Sequence, residues 1–154
     1  MHVRTAELSD APAITALIND AYVVERFFLE HDRITLDGVR ERFATGQFLV
    51  LEEEGTPVGC VYLEPRGDRA YLGLLSIHPA RQKEGLSRRL MQAAEKHCLA
   101  EGRRYIDLTV VNLREELPAY YKNLGYVECG TSPFTAGVAT KLPCHLINMT
   151  KELA

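Results

Sequence analysis

The apolar positions along the chain change period several times. Ile14, Leu17, Ile18, Ala21 and Tyr22 recur at helical spacing, behind the capping residues Ser9 and Asp10. Pro12 falls in the first turn, where its missing N–H costs no helical bond. These positions predict an amphipathic helix, preceded by a short β-compatible stretch at residues 2–7. Residues 23–29 stay apolar and aromatic, and either extend that helix or form a loop. Residues 36–44 read as a second helix, stopped at Gly46. Strand-like runs follow at Gln47–Glu53, 58–64 and 70–77, separated by two turns rich in Gly and Pro. That predicts an antiparallel meander of three strands.

A helix over residues 85–100 carries the stripe Leu86, Leu90, Met91, Ala94, His97 and Cys98, with Gly102 as its stop. Tyr105–Val111 is apolar except for Asp107 and Thr109, the pattern of a strand covered on both faces. Glu115, Glu116 and Pro118 open a last helix with Leu117, Tyr120, Tyr121 and Leu124, ending at Gly125. A turn-rich connection over 130–141 leads to a terminal strand at 142–151. The element order is β-α-α-β-β-β-α-β-α-β-β. It implies an α/β (α+β) fold: a mixed, mostly antiparallel sheet of six to seven strands with about four helices on its faces. Strand, helix and strand over residues 70–111 form one βαβ unit, so its two strands are expected to be parallel. No repeat or linker divides the chain, and residues 1–154 read as a single domain.

Composition narrows the class. Hydrophobic residues make up 46% and charged residues 25%, with a net charge of -3 and a pI near 6.0. This is a globular balance without the basic face of a nucleic-acid binder. The local cluster Arg81, Gln82, Lys83, Arg88 and Arg89 suits a small anion better than a duplex. Cys60, Cys98, Cys129 and Cys144 form no CxxC pair and no metal-like spacing with histidine, so four reduced, buried thiols and no metal are expected. The N-terminus lacks the apolar core of a signal peptide, and no apolar run is long enough to span a bilayer. A soluble, cytoplasmic protein without membrane contact is the expectation.

The chemistry concentrates where an apolar strand runs through a short polar loop into the helix that carries Gly85 and Ser87. Such a junction aims free backbone N–H groups at one point, and the helix dipole adds positive potential there. A pyrophosphate suits that geometry. Gly85 allows close approach, and Arg81, Lys83 or Arg88 can add charge. Ile77, Pro79, Gln82, Gly85, Leu86, Leu90 and Met91 stand in register with V-x-P-x-x-[R/Q]-G-x-G-[I/L]-[G/A]-x-x-L-[M/L]. The stretch thereby resembles the acetyl-CoA-binding motif of the GNAT (GCN5-related N-acetyltransferase) superfamily. The element order resembles that family over nearly the whole chain. Lys83 departs from the pattern at its first glycine, and Ser87 at the glycine/alanine position.

What the resemblance implies is a coenzyme site and a reaction. Leu75, Ser76 and Ile77 would bond the pantetheine arm like an added strand, near a bulge with which Gly73 is compatible. Gln82, Lys83, Glu84, Gly85, Leu86, Ser87 and Arg88 would hold the pyrophosphate. Tyr121, Leu124, Gly125 and Tyr126 match a second family segment that puts Tyr121, rather than its neighbour Tyr120, near the coenzyme sulfur as general acid. Asn112 is a further candidate for the pantetheine arm, although Arg114 stands in the slot where the family's asparagine usually falls. Glu64, Glu25 and His78, with His31 further off, are candidates for the general base, and Glu64 is preferred because it ends a strand that should neighbour the site. Tyr22, Glu25 and Phe28 would line the acceptor pocket. The resemblance thus points to an acetyl-CoA-dependent N-acetyltransferase acting on a primary amine of a small molecule or peptide. A non-catalytic coenzyme A-binding or interaction module with the same fold is the alternative. A homodimer is compatible with either.

Overall fold

The computed structural model describes residues 1–135 and 138–153. Its strands are β1 (His2–Thr5), β2 (Gln47–Glu53), β3 (Thr56–Arg66), β4 (Arg69–Ile77), β5 (Tyr105–Val111), β6 (Val127–Pro133) and β7 (His145–Glu152). They form one seven-stranded sheet in the order β1-β2-β3-β4-β5-β7-β6. Every neighbouring pair is antiparallel except β4 and β5. The helices are α1 (Ala11–Ala21), α2 (Leu36–Thr45), α3 (Leu86–Ala100) and α4 (Leu117–Asn123).

Strand alternation divides the core between the two sheet faces. Phe48, Val50, Cys60 and Tyr62 pack with Ile14, Ile18 and Val39 from α1 and α2. Leu49, Leu51, Val61 and Leu63 pack with Leu90, Met91 and Ala94 of α3 and with Tyr121 of α4. A third, smaller cluster of Phe28, Leu29 and Val111 closes one end against Phe134 and Leu146.

One local detail decides between two sequence expectations, and three others differ from what was expected. Residues 23–29 do not extend α1: a 3-10 turn at Tyr22–Glu25 ends it, and its residues Val23 and Val24 are exposed. The connection expected over 130–141 is partly strand, because β6 runs to Pro133 as an edge strand paired only to β7. The edge position explains the poor apolar signal, since most of β6 faces solvent. The terminal strand begins at His145 instead of residue 142. Of the four thiols, only Cys60 and Cys98 are buried; Cys144 is partly covered and Cys129, on β6, is exposed.

Candidate active site

The site begins where β4 and β5 separate. The parallel pairing runs from Arg69 opposite Tyr105 to Tyr71 opposite Asp107, and no further pair forms between the two strands. On its other edge β4 carries a bulge. Cys60 faces Ser76 and Tyr62 faces Gly73, so β4 spends one residue more than β3 over the same span. Leu74 sits at φ 55° inside that bulge. A bulge bends its strand and raises the local twist, which swings the last residues of β4 away from β5. Gly73 is needed here because a Cβ would lie 2.9 Å from the Tyr71 ring. The opened cleft continues as a cavity of about 600 Å³, with Leu75 and Ile77 on its β4 side. Ser76 points away, buried, with its hydroxyl donating to Leu74 O at 2.9 Å.

β4 then passes through a 3-10 turn at Pro79–Arg81 into α3. His78 caps that turn: its Nδ1 accepts from the Ala80 N–H at 3.1 Å. Lys83 and Gly85 both take left-handed backbone, at φ 68° and 77°. Lysine therefore adopts the conformation that glycine would supply in its slot, at a cost of about 1–2 kcal/mol. The first helical bond is made by the Arg89 N–H to Gly85 O at 3.2 Å. The N–H groups of Leu86, Ser87 and Arg88 precede it and lie at the positive end of the helix. Nothing lies within 4 Å of the place a Gly85 side chain would occupy, so the approach to the backbone there is open. Gln82, Lys83, Gly85, Leu86, Ser87 and Arg88 all line the cavity.

The charged residues of this turn divide into two groups. Arg81 donates through Nη1 and Nη2 to Glu53, at 3.0 and 3.2 Å, and through Nε to Glu84 at 3.0 Å. Those bonds hold the Glu53 carboxyl below its ordinary range and tie Glu84 to Arg81. Glu84 is absent from the cavity lining, and its side chain is paired with Arg81. Lys83 and Arg88 form no ion pair among the described residues, and they are the cations that face the cradle uncommitted.

α4 supplies the opposite wall. Tyr121 is only 7% exposed, with its ring edge-on to Tyr120 and Tyr126 at 5.1 and 5.9 Å between centroids. Burial pushes its phenol far above the ordinary range, so it stays protonated at any working pH. Tyr120 also lines the cavity, but its hydroxyl bonds Ser87 Oγ and links α4 to the first turn of α3. Ser87, which replaces a glycine or alanine in the motif, thus provides a partner that neither would offer. The Tyr121 hydroxyl has no such partner among the described residues.

At the far end three distant segments meet. Tyr22 and Glu25, from the 3-10 turn after α1, line the cavity together with Arg114 from the β5–α4 loop. Glu25 is 6% exposed and accepts from Arg114 Nη1 at 2.9 Å. Arg114 Nε bonds Glu116 at 3.2 Å. Burial raises the Glu25 carboxyl above its ordinary range, and the charges of Arg114 and Arg33 offset only part of that push. Burial likewise raises the phenol of Tyr22, whose ring lies under the Arg33 guanidinium at 5.5 Å.

Besides Ser76 and Glu84, three more of the expected site residues, Glu64, Phe28 and Asn112, lie off the cavity. Glu64 does not line the cavity: it sits on β3 opposite Tyr71, accepting from Tyr62 at 2.9 Å and Arg66 at 2.6 Å. Burial pushes the Glu64 carboxyl up, but the bonds from Arg66 and Tyr62 outweigh it and leave it low, poorly suited to take a proton. Phe28 is fully buried against Phe27 and Phe134 and belongs to the core. Asn112 bonds β7 twice, its N–H to His145 O at 3.0 Å and its Oδ1 accepting from His145 N–H at 2.8 Å. It is absent from the cavity wall, while Arg114, two residues on, is part of it. The tie between Arg114 and Glu25 spans 89 positions of sequence, so only the slot of Arg114 in the family pattern could have flagged it.

The chain matches a model of the acetyltransferase (GNAT) family over residues 11–126. Among solved structures, the ribosomal-protein-S18-alanine N-acetyltransferase from Escherichia coli is similar at a TM-score of 0.79 and 17% identity, covering 99% of this chain and 94% of that one. An N-acetyltransferase from Staphylococcus aureus Mu50 aligns at a TM-score of 0.80 and 19% identity, covering 99% and 98%. The protein yncA from Salmonella typhimurium, solved with its cofactor acetyl-CoA, aligns at 0.77 and 22%, covering 100% and 94%. No curated protein sequence matches the chain.

Proposed function

The chain belongs to the GNAT acetyltransferase family, whose cofactor is acetyl-CoA, and from that premise we propose that it is an N-acetyltransferase for a primary amine, with Glu25 as general base and Tyr121 as general acid. The supporting observation is that the splayed β4 edge, the α3 N-terminus, Tyr121 and Glu25 all border one cavity.

The residues present suit the cofactor. The separated strands leave the β4 edge at Leu75 and Ile77 open to the pantetheine arm. The free N–H groups of Leu86, Ser87 and Arg88 suit the pyrophosphate, with Lys83 and Arg88 adding charge. Gly85 leaves open space at the point of closest backbone approach. When bound, acetyl-CoA supplies a thioester carbonyl open to attack by an amine.

The protein's own groups then handle two protons. Glu25 Oε2 is held by Arg114, and Oε1 accepts no hydrogen bond from the described residues. The raised proton affinity of Glu25 fits it to take a proton from an incoming ammonium. Tyr121 borders the same cavity as a phenol that is protonated at neutral pH, the form a general acid needs if it is to give a proton to the departing thiolate as the C–S bond breaks. Leu117 and the rings of Tyr22, Tyr120 and Tyr121 give the cavity part of its apolar lining.

Two of the similar structures carry amine-acetylating names, which agrees with an amine acceptor of small-molecule or peptide kind. The test is a titration of acetyl-CoA followed by thiol release over an amine panel. Saturable micromolar binding with amine-dependent thiol release is expected, and Tyr121→Phe should keep the binding and lose most of the release. Failure to bind acetyl-CoA at millimolar concentration would sink the reading. Binding without turnover of any amine would favour a coenzyme-binding module instead.

A further inference from the structure

The acceptor end of the cavity carries an unequal set of charges on its inner face. Among the described residues Arg114 is the one cation lining this end, and it is already engaged by two carboxylates: Glu25 at 2.9 Å and Glu116 at 3.2 Å. Glu25 is the buried member, with 8% of its side chain exposed against 65% for Glu116. Arg33 counters them only from the exposed rim, over the Tyr22 ring. The phenols of Tyr22 and Tyr121, whose titration burial pushes upward, also line the cavity.

A substrate carboxylate entering here would meet two glutamates sharing one guanidinium. It would have to displace one of them from Arg114 in a place where burial strengthens repulsion between like charges. An ammonium meets the opposite situation: Glu25 lines the cavity with Oε2 pinned by Arg114, and its Oε1 accepts no hydrogen bond from the described residues.

We propose that this cavity selects an amine with no carboxylate beside the reacting nitrogen, and that Arg114 is the residue that positions Glu25 to receive it. The inference rests on the acetyltransferase reading and names its substrate class: alkyl amines, amino-acid amides and peptide N-termini, but not free α-amino acids. Arg114 acts through Glu25. Its bond fixes one carboxylate oxygen on the turn after α1, leaves the other free of hydrogen bonds from the described residues, and holds the proton affinity of Glu25 below what burial alone would set.

The test compares matched acceptors, each α-amino-acid amide against the free acid with the same side chain, by thiol release with the intact protein. Values of kcat/KM are taken as pH-independent limits, so that the lower basicity of the amide nitrogen does not bias the pair. A preference of at least tenfold for the amides is expected throughout the panel. Equal or faster turnover of the free acids overturns the selectivity. Arg114→Gln should then move the acidic limb of the kcat/KM profile, measured on one amide, upward by roughly one pH unit, because an opposite charge near Glu25 is lost. The same acceptor is used for both proteins, so the amine's own titration cancels. Arg114→Lys should return part of that shift, since it keeps the charge without the fork. General damage to the fold would lower the rate at all pH values and weaken acetyl-CoA binding without moving the limb. An unmoved limb in Arg114→Gln overturns the positioning role. Absence of acetyl-CoA binding, by contrast, would overturn the acetyltransferase reading and this inference with it.

Discussion

The two ends of the cavity are built in opposite ways. The cradle at the start of α3 is local: residues 77–88 form it almost alone, from a strand end, a 3-10 turn and a helix N-terminus. Its working parts are backbone N–H groups, and its cost is conformational, with Lys83 and Gly85 both held at positive φ. The acceptor end is assembled from the turn after α1, the β5–α4 loop and α4, and its working parts are side chains. Its cost is electrostatic, in a carboxylate buried to 6% exposure. A polar site can thus be held by strain in the main chain or by burial of charge, and each leaves a different trace under mutation.

The largest effect should come from Glu25→Gln. The amide has nearly the shape of the carboxylate but cannot take a proton, and a loss of about 10³-fold in kcat/KM is expected. Acetyl-CoA affinity should be unchanged by titration calorimetry. If binding falls as much as turnover, the two ends are not separable. In the unaltered protein Glu25 must be ionised to act, and its carboxyl is raised, so activity should fall on acidification at a pH above the ordinary carboxylate range. A profile that stays flat down to pH 4 would remove Glu25 from the role of base.

Tyr121→Phe follows, with an expected loss of about 10²-fold in kcat and little change in KM for the amine. Its ring packing against Tyr120 and Tyr126 survives the change, so a large drop in melting temperature would point to a structural role instead. At the other end, Gly85→Ala should weaken acetyl-CoA binding by about tenfold. A Cβ at φ 77° is strained by ~1–2 kcal/mol and stands in the open approach to the backbone. Amine selectivity should be untouched, which competition between two acceptors would reveal.

The smallest effect should be Lys83→Gly. Relief of left-handed strain, less the extra freedom glycine gives the unfolded chain, should stabilise the fold by about 1 kcal/mol, or ~2–4 °C in Tm. The same change should weaken acetyl-CoA binding a few-fold at low salt and less at high salt, because an exposed charge is screened. A lysine that leaves binding unchanged at all ionic strengths would play no part in the cradle.

Much of this was determined by the sequence itself. The period of the apolar positions specified α1, the meander and the βαβ unit, since amphipathic burial has a repeat that a single chain must display. The cradle was legible for a related reason: strand, turn and helix N-terminus are contiguous, so their order already implies where the N–H groups point. Only the tertiary structure decided which side chains stand opposite them. Glu64 lies near the end of a strand next to β4, yet side chains alternate across a strand, and Glu64 shares a face with its bonded neighbour Tyr62 on the α1–α2 side. Glu25 sat in a run that looked equally like helix or loop, and the 3-10 turn turns it inward. Its pairing with Arg114 joins residues 89 positions apart, and no local period records such a contact. Even the strain at Lys83 was open in sequence, because lysine fits a loop in either backbone basin until the helix behind it dictates the left-handed one.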